Sequence, residues 1–124
     1  MLVIMGGLPG TGKSTIAQLL ATQLQAVYLR IDTIEQTIRK TWDLQSKPHR
    51  EMGPDGYFIA YAVAADNLRL GQAVIADSVN PIEITRSDWR RVATDQHTPY
   101  LEVEVICSDI VVHKHRVETR RAEV

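Results

Sequence analysis

Leu2-Val3-Ile4-Met5-Gly6-Gly7-Leu8-Pro9-Gly10-Thr11-Gly12-Lys13-Ser14-Thr15 is the stretch on which the reading of this chain turns. An apolar run passes directly into G-x-x-x-x-G-K-S, the P-loop pattern, after a strand signal and before a helical one. Gly7, Gly10 and Gly12 permit positive φ and carry no Cβ, so backbone N–H groups can turn inward toward an anion. Lys13 is a mobile point charge able to reach terminal phosphates, and Ser14 offers the kind of oxygen ligand that Mg²⁺ prefers. The helix that follows aims its partial positive end at the same place. The nucleotide-binding segment is therefore expected to be Gly7, Leu8, Pro9, Gly10, Thr11, Gly12, Lys13, Ser14 and Thr15, with a nucleoside triphosphate as ligand.

Outward from this loop, strand and helix signals alternate, which argues for a parallel sheet covered by helices. The pattern predicts a first strand over Leu2–Met5 and a first helix over Lys13–Gln25, with Ile16, Leu19, Leu20 and Leu24 at helical spacing. A short strand over Ala26–Ile31 and a helix over Thr33–Trp42 follow. Asp43–Gly53 reads as an exposed loop. A third helix is predicted over Pro54–Leu70, with Phe58, Tyr61, Ala62, Ala65 and Leu68 on one face and Gly71 as its stop. Ala73–Asp77 is a short apolar run suited to a buried parallel strand. Asn80-Pro81 opens a fourth helix carrying Trp89, Val92 and Ala93 inward. In the last strand, Tyr100–Cys107, apolar residues alternate with Glu102 and Glu104, and Ser108 or Asp109 is expected to cap a closing helix.

A length of 124 residues allows one domain, spanning 1–124. The formal charge of −1, with no basic block, gives no argument for nucleic acid as a general partner. No apolar run reaches the length of a membrane span, and the N-terminus lacks a basic start and a cleavage site. Cys107 is the sole cysteine, which excludes an internal disulfide framework and makes a cytoplasmic protein the default.

A triphosphate site also needs a metal-side acid and a group that activates the nucleophile. Asp77 ends the run Ala73-Val74-Ile75-Ala76 and should lie at the C-terminal edge of a central strand, where ligands bind in open α/β sheets. Ser14 and Asp77 are thus the expected Mg²⁺ residues, the alternative for Asp77 being to cap the next turn. Asp32 ends the second strand at the same edge and is the candidate base toward a substrate hydroxyl. The competing reading is structural, since Asp32-Thr33-Ile34-Glu35 has the form of a capping box. On the closing helix Arg116 and Arg120 stand four residues apart and suit charge developing on a transferring phosphoryl; a solvated basic face is the alternative. Arg30 and Arg39 are placed to meet an anionic substrate or simply to be exposed. His113 and His115 are spaced i,i+2, poor geometry for a helical metal site. Trp42, Tyr57 and Tyr61 fit core packing better than a pocket.

Ser78 follows Asp77 where many motor and switch ATPases place a water-polarising glutamate, and no N-K-x-D element occurs. These features favour phosphoryl transfer to an alcohol over hydrolysis. Gly7–Thr15, Asp32, Ala76-Asp77-Ser78-Val79-Asn80-Pro81 and the Arg116/Arg120 spacing together resemble the small P-loop kinases. More narrowly, they resemble the AAA-like ATP-binding group related to polynucleotide kinase, chloramphenicol phosphotransferase and zeta toxins.

The resemblance implies an α/β fold of the P-loop NTPase type, three layers α/β/α around a parallel sheet of order 2-3-1-4. It implies ATP and Mg²⁺ as cofactors and catalytic roles for Lys13, Asp32, Arg116 and Arg120, the arginines lying in a lid. Members of that group continue past the lid into a further strand and helix. A chain ending at Val124 is accordingly expected to be C-terminally incomplete, with the fifth strand missing. The strand bearing Glu102 and Glu104 is then expected to present an exposed edge open to self-association. The expected activity is transfer of the γ-phosphoryl of Mg-ATP to a hydroxyl of a small molecule or of a polynucleotide end. A nucleotide hydrolase and a truncated, non-catalytic ATP-binding module are the alternatives.

Overall fold

Residues 2–5 are apolar on both sides of the strand, which makes sense only for a strand covered on both faces. In the computed structural model, which describes residues 1–8, 10–78, 83–106 and 109–113, this run lies at the centre of the sheet. Leu2, Val3, Ile4 and Met5 are all at most 2% exposed. The elements follow as β1 (Leu2–Gly6), α1 (Lys13–Leu24), β2 (Val27–Arg30), α2 (Ile31–Leu44) and α3 (Asp55–Arg69). Then come β3 (Val74–Asp77), α4 (Glu83–Asp95), β4 (Tyr100–Ile106) and β5 (Asp109–His113). The sheet order is β2-β3-β1-β4-β5, the first four strands parallel and β5 antiparallel to β4. The chain has an α/β fold with four parallel strands in the order 2-3-1-4.

Alternate residues of the strands feed two cores. Val3, Met5, Ile75, Val103 and Val105 pack under Ala17 and Ala21 of α1. Leu2, Ile4, Val74, Ala76 and Tyr100 pack on the other face with Ala60, Ala64 and Leu68 of α3 and Trp89 and Ala93 of α4. Tyr61 meets Trp89 edge-on, ring centroids 4.7 Å apart, tying α3 to α4. Gly71, at φ +86, ends the α3 turn by donating its N–H to the Leu68 carbonyl at 3.0 Å.

Several expectations need correction. A fifth strand is present: Ile110, Val111 and Val112 form it where a closing helix was expected to begin at Ser108 or Asp109. Three adjacent β-branched residues favour an extended backbone over a helix. β5 covers the edge of β4 that was expected to be open to self-association. Glu102 is buried against α4, with Arg90 Nη2 donating to its Oε2 at 3.1 Å and Arg90 Nε donating to Oε1. Only Glu104 of the two strand acids faces solvent. On α3 the buried positions are Gly56, Ala60, Ala64 and Leu68, whereas Phe58 and Ala62 are exposed. Asn80-Pro81, Cys107, His115, Arg116 and Arg120 lie outside the described residues.

Candidate phosphate-binding site

β1 ends at the C-terminal edge of the sheet and delivers the chain into the glycine loop. Gly7, Gly10 and Gly12 have φ of +141°, +86° and +87°, so all three adopt backbone that L side chains rarely take. Gly7 is also a close approach, since a Cβ there would stand 2.8 Å from the carbonyl oxygen of Val105. The Thr11 hydroxyl donates to the Leu8 carbonyl at 2.7 Å, closing the loop on itself. Gly12 is the N-cap of α1 and makes no side-chain cap bond, which leaves the first N–H groups of that helix facing the loop. A hollow of about 210 Å³ is lined by Leu8, Gly10, Gly12, Lys13, Ser14 and Thr15. Pro9 lies outside the described residues.

β3 carries Asp77 to the same edge beside β1, in register with Met5. Its side chain is fully buried, and the Lys13 Nζ stands 2.7 Å from Oδ1. The Tyr28 hydroxyl, from β2, donates to Oδ2 at 2.5 Å. Burial alone would push the Asp77 carboxyl up. Hydrogen bonds from Lys13, Tyr28 and Ser14 and the charge of Lys13 outweigh it and hold the carboxyl below its ordinary value. The structure thus brings together Lys13, Ser14 and Asp77, three of the expected site residues. Tyr28 was not singled out in the sequence, and only the pairing of β2 with β3 reveals it.

Asp32 lies at the second position of α2, with Arg30 as the N-cap and no side-chain capping bond. The capping-box arrangement is therefore not formed, because the helix begins at the buried Ile31, two residues earlier than the pattern suggested. The Asp32 carboxylate is more than half exposed, 3.6 Å from the Arg30 guanidinium. Its neighbourhood is set by α3, where Gly56 packs so tightly on α2 that a Cβ would come within 2.7 Å of Glu35 Cγ. Burial raises the Glu35 carboxyl; Arg39 opposes the shift and Asp32 adds to it. The Tyr57 phenol, next to Gly56, lies beside Ser78, the residue after Asp77. Burial first, and then the charges of Glu35 and Asp32, raise its phenol. Asp32, Glu35, Tyr57 and Ser78 thus form a polar group at the sheet edge beside the phosphate loop.

Trp42 is buried at the far end of α2, with the Arg50 guanidinium 5.5 Å above its ring. Around it is a hollow of about 410 Å³ that includes Lys47 and His49.

Magnesium usually keeps several waters and is shared between one or two carboxylates and the substrate phosphates. Among the described residues no group of three or more His, Cys, Asp or Glu could hold a metal alone. Ser14 and Asp77, an oxygen donor and a buried ionised carboxylate beneath a phosphate cradle, have the chemistry to receive Mg²⁺ together with a nucleotide. No helix among the described residues is long and apolar enough to cross a membrane.

Comparison with known proteins agrees with this geometry. A family model described as an AAA domain matches residues 2–124. A candidate kinase from Chloroflexus aurantiacus is 26% identical, with a TM-score of 0.71; the match covers 85% of this chain and 57% of that one. Kti12 of Chaetomium thermophilum, solved with ADP-AlF3, is 25% identical with a TM-score of 0.67, covering 98% of this chain and 64% of that one. The APS kinase CysC of Mycobacterium tuberculosis shares the fold at 23% identity and a TM-score of 0.64, covering 84% and 73% of the two chains. This chain therefore spans under two thirds of the Chloroflexus and Chaetomium proteins. The comparison with curated proteins finds no match. The chain belongs to the AAA domain family, with a kinase-like P-loop fold.

Proposed function

We propose that this AAA-domain protein is a phosphotransferase that moves the γ-phosphoryl of Mg-ATP to a hydroxyl of a small molecule, with residues 1–124 acting as a single domain. The observation that carries the reading is the buried Lys13–Asp77 pair at 2.7 Å under a glycine loop, with the exposed Asp32 carboxylate at the same sheet edge. Backbone N–H groups of Gly7–Thr15 and the Lys13 ammonium bind the phosphates. Ser14 and Asp77 would hold Mg²⁺, which supplies charge neutralisation on the phosphate oxygens when bound. Asp32 accepts the proton of the attacking hydroxyl; its carboxylate is more than half exposed, which supports its availability as a base. Tyr57 and Ser78, close to Asp32, are assigned to orienting the acceptor hydroxyl. Arg116 and Arg120 remain assigned to the charge on the transferring group by the resemblance alone.

Catalysis would then rest on positioning and electrostatics, the usual division of labour in phosphoryl transfer. The test mixes purified protein with Mg-ATP and a panel of alcohols. Little ATP is lost until an acceptor is present, and Asp32→Asn retains ATP affinity while transfer falls by about 10²-fold or more. Steady ATP loss without an acceptor would make the protein a hydrolase. Saturable binding with no loss under any condition would make it a nucleotide-binding module. If transfer by Asp32→Asn falls only in proportion to the folded fraction, Asp32 is not the base.

A further inference from the structure

Lys13 has two claimants. Its ammonium stands 2.7 Å from Asp77 Oδ1, yet a bound triphosphate needs that same charge. When Lys13 turns to the phosphates, Asp77 is left fully buried on the side the cation vacates. A carboxylate in that position swings away unless another donor keeps it aimed. Tyr28 is that donor. Its hydroxyl bonds Oδ2, the oxygen Lys13 does not use, so the bond survives the exchange.

We propose that Tyr28 is a positioning residue of the phosphate site, holding Asp77 in its metal-side orientation while Lys13 engages the nucleotide. The proposal rests on the reading of Asp77 as the metal-side carboxylate. Two further observations carry it. The Ser14 and Gln18 side chains lie beside the same phenol, so one hydroxyl stands next to both residues expected on the metal side. The phenol is also held rigidly. Tyr28 pairs with Ile75 in the β2–β3 ladder, and its ring packs into the core under α1, so the hydroxyl reaches Asp77 from a fixed strand.

Tyr28→Phe keeps the ring and removes the hydroxyl. The probe is a fluorescent ATP analogue, titrated first in EDTA and then with increasing Mg²⁺. The expected result is an EDTA affinity within about twofold of wild type and a Mg²⁺ requirement for tight binding raised about tenfold. In the Asp77→Asn background, Tyr28→Phe should change the Mg²⁺ requirement no further, because the phenol acts through that carboxylate. A tyrosine that merely fills the core would leave the Mg²⁺ requirement unchanged or lower affinity equally with and without metal; either result overturns the proposal. Should Tyr28→Phe fold poorly, Tyr28→Leu serves the same measurement. Wild-type binding that is indifferent to Mg²⁺ would overturn the metal-side reading of Asp77 and this proposal with it. A wild-type Mg²⁺ effect retained in full by Tyr28→Phe overturns the proposal alone.

Discussion

Lys13→Met deletes the ammonium and leaves Asp77 with the Tyr28 phenol and no cation. The two side chains are 9% and 0% exposed, so water cannot replace the lost charge. Removing one partner of a buried pair costs about 3–5 kcal/mol. The Tyr28 bond keeps part of the stabilisation and protonation of Asp77 caps the remainder, which places the loss near the lower end, about 3 kcal/mol at pH 7. In a chain of this size that corresponds to a melting point lower by about 10 °C. The pH dependence has a definite sign. Asp77 is held below its ordinary value of 3.8 when folded, so its contribution is complete above that value and disappears as pH falls through the folded-state pKa. Wild type therefore loses this stability on acidification below about pH 4, the variant has none to lose, and the gap between them narrows. Guanidinium unfolding without nucleotide, followed by tryptophan fluorescence, measures both effects. Adding Asp77→Asn to Lys13→Met should recover about 2 kcal/mol, because no unpaired charge remains. A single-variant loss under about 1 kcal/mol, or a double variant as unstable as the sum of the singles, would refute the argument.

Arg90→Ala strips the guanidinium from the buried Glu102 and should cost about 2 kcal/mol by chemical denaturation, discounted because Arg90 is partly exposed; Arg90→Leu with Glu102→Leu should recover most of it. Gly7→Ala should cost about 2 kcal/mol and lower nucleotide affinity at least tenfold in a fluorescence titration, since its Cβ would meet the Val105 carbonyl oxygen at 2.8 Å. Gly10→Ala, with open space around it, should show only the strain of its positive φ, about 1 kcal/mol in the same denaturation series. Gly56→Ala should destabilise despite the helix-propensity gain of about 1 kcal/mol, because the methyl would press on Glu35 Cγ at 2.7 Å; a raised melting point would show that α2 and α3 can part without loss.

The architecture was legible wherever a local pattern had a single physical solution. Leu2–Met5 could only be a strand covered on both faces, and the loop after it could only turn through glycine. Where local patterns allowed two solutions, long-range packing chose. Asp32-Thr33-Ile34-Glu35 has the composition of a capping box, but burying Ile31 in the core starts the helix earlier and carries Asp32 inside its first turn. The alternation of Glu102 and Glu104 reads as a wet face, and Arg90, twelve residues upstream on α4, makes one of the two acids a core residue instead. The strand Asp109–His113 had its own signal in Ile110, Val111 and Val112, outvoted by capping residues just before it.

The two halves of the candidate site differ in legibility for a physical reason. Phosphate is bound mainly by backbone N–H groups, so its recognition is written in contiguous residues that set backbone geometry, and glycines at fixed spacing declare it. An acceptor alcohol must be held by side chains. On the proposed reading those side chains are Asp32 and Glu35 on α2, Tyr57 on α3 and Ser78 after β3, scattered over 47 positions and gathered only by the β2–β3 pairing and the close α2–α3 contact at Gly56. Such a group has no spacing for a pattern to capture. Glu35 and Tyr57 can also be altered one at a time without touching the glycine loop, Lys13 or Asp77, which lie on other elements. On that reading acceptor choice can change while nucleotide binding stays intact, and the residues to vary in seeking the acceptor are Glu35 and Tyr57.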